Sequence, residues 1–484
     1  MPPGRPRRGF RNAIVVGFVA IPLLLIGPEI APVFATVTDA HPLAWAATEG
    51  LLPADASTAQ YSPNLDAVVC HGRRSCVAVG NYTDTSGGDQ GLIETLADGT
   101  ATAREASLPG NAATTNPNAA IIGLSCPTEH SCVGVGQYVD SRGVQQGLVE
   151  TLASGTWTAT EAPQPANAST TQYSSVVYGI TCRTVGFCIG TGTYVDSSGN
   201  DQGLIETLSG ITWNATEAPL PPNASTVQYA VLRDVVCPAV GSCVALGNYH
   251  DSITNDQGFV DNLSGGTWTP TETPLPDNNA VGSEGSLNHL ACVKLGHCVA
   301  EGSYTATTGG VQGLIDTLSG GTWTAHEAQL PGDAATANQG ADLTDVSCSS
   351  PAFCVGVGQY VDANAALQGL VETRSGPNFT PSQAPVLANA APDPGAALAA
   401  VACVGNRFCA AVGGFRDTHG TLQGLIETRS GGTWTASDAP LPANAATNPK
   451  VSLLNVACSN AGSCMALGAY TDMNGNERSL IEIS

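Results

Sequence analysis

Eight cysteine pairs, each written CxxxxxC and set 55 or 56 residues apart, leave this chain few architectures. The pairs are Cys70 with Cys76, Cys126 with Cys132, Cys182 with Cys188, Cys237 with Cys243, Cys292 with Cys298, Cys348 with Cys354, Cys403 with Cys409 and Cys458 with Cys464, and no cysteine is left over. A period of this size marks a repeat protein, in which each unit is one supersecondary element that buries its apolar faces only by stacking on its neighbours.

A second marker fixes the register. An aromatic slot lies 25 residues after the second cysteine of each complete unit, filled by Ala101, Trp157, Trp213, Trp268, Trp323, Phe379 and Trp434. The eighth unit would need its slot at position 489, beyond the last residue, Ser484. The missing aromatic turns up at the other end, because Trp45 stands 25 residues before Cys70, and WAATEGLLPADAST around it matches WTATEAPQPANAST around Trp157. The repeat is therefore permuted, with an N-terminal strand completing the last unit. Such a permutation suits a closed ring, in which pairing the first strand with the last unit removes an exposed sheet edge.

Within a unit, NLDAVVC, SCVAVGNY, QGLIETL and TWTATEAP each read as a short strand bounded by turn residues. DSSGND and SGGT supply the Asp and Gly that the intervening turns need. Residues after the second cysteine are apolar or small on both faces, as in Val77, Ala78, Val79 and Gly80, which is what a strand covered on both sides requires. The expectation is an all-β, eight-bladed β-propeller of four antiparallel strands per blade, spanning residues 44–484, with the last blade closed by the N-terminal strand.

The first residues speak to compartment. Arg5, Arg7, Arg8 and Arg11 precede the apolar run AIVVGFVAIPLLLIG, and small residues follow at Ala35 and Ala40. This layout predicts a secretory signal peptide over 1–35, with cleavage as late as 40, and a short linker over 36–43. A retained N-terminal anchor is the alternative, although the run is short for a span and contains Pro22. Export to an oxidising compartment explains the even set of cysteines, read as one hairpin disulfide per blade. Zinc is a poor fit, because CxxxxxC lacks the usual spacing and no histidine accompanies each pair. The chain carries a net charge of −23, with Lys294 and Lys450 its only lysines, so nucleic acid and anionic membrane are disfavoured as partners. A secreted or cell-surface monomer is expected.

The unit with its cysteine pair, CVAVG, Tyr, LIET and GGTW resembles the disulfide-bearing propeller repeats of secreted or surface proteins from high-GC bacteria, a group mostly without assigned function. The SGGTW corner distantly resembles the Asp-box turn of sialidase-like (BNR) blades, with Asp98 of ADGT in a comparable turn. The resemblance covers 44–484 and implies architecture rather than activity. Sialidases on such blades use an arginine triad, a Tyr nucleophile with a Glu partner and an acidic acid/base; the arginine triad matches no particular positions here. GxSxG, HExxH and P-loop motifs are also missing. Repeat lengths vary by a single residue, whereas catalytic sites on repeat scaffolds usually need unequal insertions.

Two polar positions recur. Gln stands 14 residues past the second cysteine from Gln90 to Gln423, with Arg478 in the eighth unit; 18 past it stands a carboxylate in all eight, Glu94, Glu150, Glu206, Asp261, Asp316, Glu372, Glu427 and Glu482. These carboxylates are expected to accept hydrogen bonds within their own blades. The turn residues Asp84, Asp140 and Asp196 fit turn stabilisation better than calcium, which needs six or more oxygens.

Function is sought where the repeats disagree. Three residues before the first cysteine stand Ala67, Gly123, Gly179, Asp234, His289, Asp345, Ala400 and Asn455, so three consecutive blades set Asp, His and Asp at one level. With the first strand innermost, Asp234, His289 and Asp345 form a one-sided polar patch in the channel, with Arg233 and Glu301 nearby. Glu301 replaces an aliphatic residue and so needs a partner or a shifted pKa. The patch suits a small polar ligand; no cofactor is implied, a metal ion in the channel being the one the residue types allow. Tyr61, Tyr173 and Tyr229, on connections into first strands, are candidates for stacking on sugars or for stapling their loops. These features favour a binding module for extracellular glycan or protein ligands. The alternative is a sialidase-like glycoside hydrolase or lyase with its site at the channel.

Overall fold

The computed structural model describes residues 43–484 except 58–62, 73, 74, 98, 170–173 and 283. The expected signal peptide and anchor, nearly all of the linker, and Tyr61 and Tyr173 lie outside the described residues. Those described form eight four-stranded antiparallel sheets, and no helix occurs among them.

Blade 1 runs Asn64–Cys70, Ser75–Thr83, Asp89–Ala97 and Thr100–Glu105 in sheet order. Blades 2 to 7 repeat it. Blade 8 takes three strands from the C-terminus, Ser452–Asn460, Ser463–Thr471 and Glu477–Ile483, and its fourth from Ala46–Glu49. That last pairing is antiparallel, with Ala46 opposite Ile483 and Glu49 opposite Leu480. Polar bonds reinforce the closure: the Tyr470 hydroxyl donates to Glu49 Oε2 at 3.0 Å and to Asn444 Oδ1 at 2.9 Å, and Asn444 Nδ2 donates to Glu49 Oε2 at 2.8 Å. The same Tyr, Asn and Glu trio ties blade 2 through Tyr138, Asn111 and Glu161, so the N-terminal strand supplies Glu49 in the role an internal fourth strand plays elsewhere.

One disulfide joins the first and second strands of every blade, as the cysteine spacing predicts. Cys70 is bonded to Cys76, Cys126 to Cys132, Cys182 to Cys188 and Cys237 to Cys243 in blades 1 to 4. In blades 5 to 8, Cys292 is bonded to Cys298, Cys348 to Cys354, Cys403 to Cys409 and Cys458 to Cys464. All eight have Cα separations of 4.0–4.1 Å and a sequence separation of six. Loops this short limit each bridge to about 2 kcal/mol by chain entropy. The eight bridges fit an oxidising environment. No helix among the described residues is long and apolar enough to cross a membrane.

The apolar cores lie between blades. One cluster joins Val77, Val79 and Ile93 of blade 1 to Ile121, Leu124, Leu148 and Trp157 of blade 2. The turn aspartates are structural: Asp196 Oδ1 accepts the N–H groups of Ser198 and Asn200 at 2.8 and 2.9 Å, and Oδ2 accepts from Gln202 Nε2 at 3.0 Å. Asp84, Asp140, Asp362 and Asp417 take the recurring Gln in the same way, Asp472 takes Arg478 instead, and in blade 5, where Ala306 stands at the turn position, Gln312 donates to Gln339.

Candidate functional site

Every first strand carries a bulge immediately before the position that varies. The register against the second strand skips one residue between Leu65 and Ala67, Leu232 and Asp234, Leu287 and His289, and Leu343 and Asp345, and likewise in the other four blades. A bulge sets two residues against one on the partner strand and re-aims their side chains. It also draws the strands together, so that a Cβ at Gly80 would collide with the Asn64 carbonyl, and glycine holds that place in all eight blades. The pairs beside the skips, among them Tyr178 with Gly179, Arg233 with Asp234 and Asn288 with His289, line a central cavity of about 560 Å³.

The cavity wall is lopsided. Blades 1 to 3 line one side with the small Ala67, Gly123 and Gly179 beside Asp66, Ile122 and Tyr178, and blades 4 and 5 set Arg233, Asp234, Asn288 and His289 on the other. His289 Nδ1 lies 3.7 Å from both Asp234 Oδ2 and Asp345 Oδ1. Desolvation opposes charge on the ring, but Asp234 and Asp345 outweigh it and push the His289 pKa up to about 9, so an imidazolium sits between two carboxylates at neutral pH. Half of its side-chain surface still faces the water of the channel.

The two acids are stitched to the frame. Asp234 accepts the Val235 N–H at 2.7 Å and, across the blade boundary, the Leu290 N–H at 3.0 Å; Asp345 accepts from Val346 and Val401, each at 2.8 Å. Burial nonetheless raises Asp345, partly offset by His289 and these N–H groups. Asn288, Thr344 and Asn455 make similar ties to the Leu343, Leu398 and Asp66 carbonyls of the next blade at 3.1, 2.8 and 3.2 Å. Burial pushes Asp66 up to about 6. Asp234 and Asp345 thus hold blades together and flank His289, which leaves His289 and Arg233 as the groups freest to meet a ligand. Among the described residues no group of His, Cys, Asp and Glu converges with the geometry of a metal site.

Glu301 does not join this patch. It is paired opposite His289, but its side chain turns between blades 5 and 6, fully buried, where its carboxyl occupies the space that a Cβ on Gly356 would need. Burial, followed by Glu372 and Asp345, pushes its pKa far upward, and neither oxygen meets a donor. Tyr229 does not line the cavity; it stacks on His250 with ring centroids 4.6 Å apart. Sequence reasoning missed Asp66, Tyr178, Asn288 and Thr344, which the bulge brings to the channel. A signal existed: the buried apolar pairs Leu65 and Val68, Leu232 and Val235, and Leu287 and Leu290 are three residues apart, not the two of a regular strand.

The eight recurring carboxyls lie between blades, not in hydrogen bonds within their own. Seven are fully buried and Glu94 is 5% exposed. Their surroundings divide by one residue of the preceding connector. There Leu51 donates its N–H to Glu94 Oε1 at 3.2 Å, and the N–H groups of Ser107 and Gln329 face Glu150 and Glu372 without reaching full hydrogen-bond geometry. The other five connectors carry Pro163, Pro219, Pro274, Pro385 and Pro440 at this point, which have no N–H to give. Burial is accordingly unopposed at Glu206, pushed up to about 9, and at Asp261, Asp316, Glu427 and Glu482, each pushed up to about 8. Glu94 stops at about 7, and so does Glu150, which has the Arg104 guanidinium as well as the Ser107 N–H nearby, whereas Glu372 reaches about 8 despite the Gln329 N–H.

No sequence-family model and no curated protein matches the chain. Solved structures do. The WD40 domain of SCAP from fission yeast is 7% identical, with 91% of this chain and 98% of that one covered at a TM-score of 0.44. The BP39L lectin from Burkholderia pseudomallei is 13% identical, covering 79% and 98% at 0.40. Trypanosoma rangeli sialidase in complex with the inhibitor DANA is 10% identical, covering 88% and 55% at 0.36.

Proposed function

We propose that the protein is a secreted or cell-surface binding module whose central channel takes a hydroxyl-rich glycan. The observation that carries this reading is the lopsided wall: Arg233 and His289 offer donors beside fixed carboxylates on one arc of a cavity of about 560 Å³, and the opposite arc sets Ala67, Gly123 and Gly179 beside Asp66, Ile122 and Tyr178. Vicinal hydroxyls are bound by such planar donor and acceptor pairs, and Tyr178 adds one aromatic ring to the wall. The groove of about 870 Å³ between the outer edges of blades 4 and 5 is a weaker candidate, because Trp323 on its floor is 9% exposed and offers little ring face.

A second reading, a sialidase-like glycosidase or lyase, rests on the His289 imidazolium between two carboxylates, an acid poised above neutral pH. Glycan-array binding by wild type and by Arg233→Ala and His289→Ala variants tests the first reading. Binding lost in both variants is expected; no glycan bound, or binding untouched by either change, overturns it. Turnover of glycoside substrates that disappears in His289→Ala would replace it with the second. Peptide sequencing of the exported chain, expected to begin near residue 36 or 41, tests secretion.

A further inference from the structure

The two faces of the ring carry opposite charge. In each blade the turns between strands 1 and 2 and between strands 3 and 4 lie at one end, beside the disulfide, while the turn between strands 2 and 3 and the connector to the next blade lie at the other. At that other end, seven of the eight turns between strands 2 and 3 open with an aspartate, and seven of the eight fourth strands end in a carboxylate, so the face is acidic. At or beyond the level of the disulfides the balance reverses: Arg183, Lys294, Arg374, Arg407 and Arg429 stand there, and Glu129, already 3.3 Å from His130, is the one acidic side chain among the described residues. None of the five cations has a carboxylate partner among the described residues. By sequence Arg73, Arg74 and Asp98 fall in the same turns, outside the described residues, and Ser484 brings the last carboxylate to this face.

The basic face also departs from the repeat in apolar residues. Three residues before the second cysteine, blades 3 to 5 carry Val185, Val240 and Leu295, where blades 2, 6, 7 and 8 carry Glu129, Pro351, Asn406 and Ala461. Ile211 extends the row, on a turn that the Gly210 N–H ties to the Gly186 carbonyl at 2.9 Å. These four side chains are 57–96% exposed, and Arg183 and Lys294 stand within two residues of Val185 and Leu295. Neighbouring turns of this kind touch, as Ser349 Oγ and Asn406 Oδ1 do at 2.9 Å between blades 6 and 7. Val227, Ile253, Val281 and Met473 are exposed at the other end, but among its carboxylates. Leu43, the first described residue, lies against Gly462 in the blade 8 turn, so the chain enters the ring from the basic side.

We propose that this face, independently of the channel, docks on an anionic lipid bilayer: the aliphatic tips of blades 3 to 5 enter the headgroup boundary, and the basic side chains meet lipid phosphates. Exposed aliphatic tips among cations suit a lipid surface, which buries them, better than a soluble polyanion, which uses the charge alone. The net charge of −23 disfavours such a partner for the chain taken whole, but the acids lie on the other face and in the buried contacts between blades. Strands of nine residues hold the two faces roughly 30 Å apart, several times the ~8 Å over which salt screens exposed charges. The basic face therefore meets a membrane on its own terms.

Titration of the exported chain with vesicles of phosphatidylcholine and phosphatidylglycerol in equal parts tests this. Binding is expected, with none to phosphatidylcholine alone and a steep loss as salt is raised. Arg183→Glu with Lys294→Glu should weaken it at least about 25-fold, since each basic residue near an anionic surface is worth about 5-fold. Ile211→Ser with Leu295→Ser should weaken it at least about 10-fold. These four side chains are exposed, so both double variants should unfold with wild type. Vesicles should slow amide exchange in residues 183–187 and 294–297 and not in 252–255 on the acidic face, a pattern that tethering by the N-terminus alone would not produce. No binding to the mixed vesicles, basic-face turns left unprotected by them, or protection that both double variants leave intact overturns the proposal. Polyphosphate bound as tightly as vesicles, and equally by Ile211→Ser with Leu295→Ser, would give the face to a soluble polyanion instead. Self-association lost in Arg183→Glu with Lys294→Glu, without vesicle binding, would give it to a second copy.

Discussion

Replacing Glu206 by Gln should make the protein more stable at pH 8 and leave it nearly unchanged at pH 4. Burial with no donor pushes the Glu206 pKa from 4.5 up to about 9, so the folded state binds this proton more tightly than the unfolded chain does. The stability that follows is complete below about pH 4 and drains away as pH rises toward the folded value. Between the ordinary 4.5 and pH 8 lie about 3.5 pH units at roughly 1.4 kcal/mol each, or about 5 kcal/mol as a ceiling that Glu206→Gln would recover. Glu150, raised by burial but opposed by the Arg104 guanidinium and the Ser107 N–H to a pKa of about 7, is ionised in both states over the last of those pH units, so Glu150→Gln should recover about 1.4 kcal/mol less. Denaturant midpoints of the oxidised wild type and both variants, taken at pH 4 and pH 8, measure this directly, and the difference between the two pH values cancels any fixed cost of the amide. Equal differences at both pH values would mean that Glu206 ionises as an exposed carboxyl does, and the reasoning from burial would fail.

Three further outcomes follow from the same contacts. The turn aspartates act in the opposite sense: hydrogen bonds outweigh desolvation and hold Asp84 down at about 2, so their contribution is present above the ordinary 3.8 and lost only as pH falls through about 2, and stability measured against pH should peak near pH 4 to 5. Glu301→Val with Gly356→Ala restores the aliphatic contact that other blade boundaries use, and should raise stability at pH 7 by about 1–3 kcal/mol in thermal or denaturant unfolding; a loss would show that the carboxyl is needed where it lies. Tyr470→Phe removes the hydroxyl that binds Glu49 and Asn444, and should speed proteolytic release of the N-terminal strand, whereas Tyr194→Phe, which breaks the same bonds within blade 3, should not.

What the sequence discloses depends on whether a property belongs to the repeat or to a face. The ring, the hairpin disulfides and the closure were legible because cysteine spacing and the aromatic slot keep register to both ends, and the displaced Trp45 leaves one way to complete the count. Direction was harder to read. Periodicity places a carboxyl at Glu206 and its seven equivalents, but whether it turns to its own blade or to the next depends on the packing of neighbouring sheets, and Pro163 matters only once its connector is seen to lie over that carboxyl. The bulge behaves likewise: its trace in Leu65 and Val68 is visible in one sequence, yet it gains meaning only when strand 1 is known to be innermost, where it aims Tyr178, Arg233 and Asn288 into the channel.

In a ring of near-identical blades, every face is buried by the same contacts, so a local departure has no effect unless it alters what the contact encloses. Two departures do so. In blades 4 to 6, Asp234, His289 and Asp345 replace small residues and turn one arc of the channel into a charged wall. At the seam between blades 8 and 1, Ala101 replaces a ring and leaves a space with an unpartnered carboxyl at its edge. Of the two, only the seam leaves a buried group that the frame does not satisfy; in the channel, backbone N–H groups hold both acids and His289 stays open to the cavity. The repeat itself separates these cases, because seven sister blades supply at each position the residue that stability alone accepts.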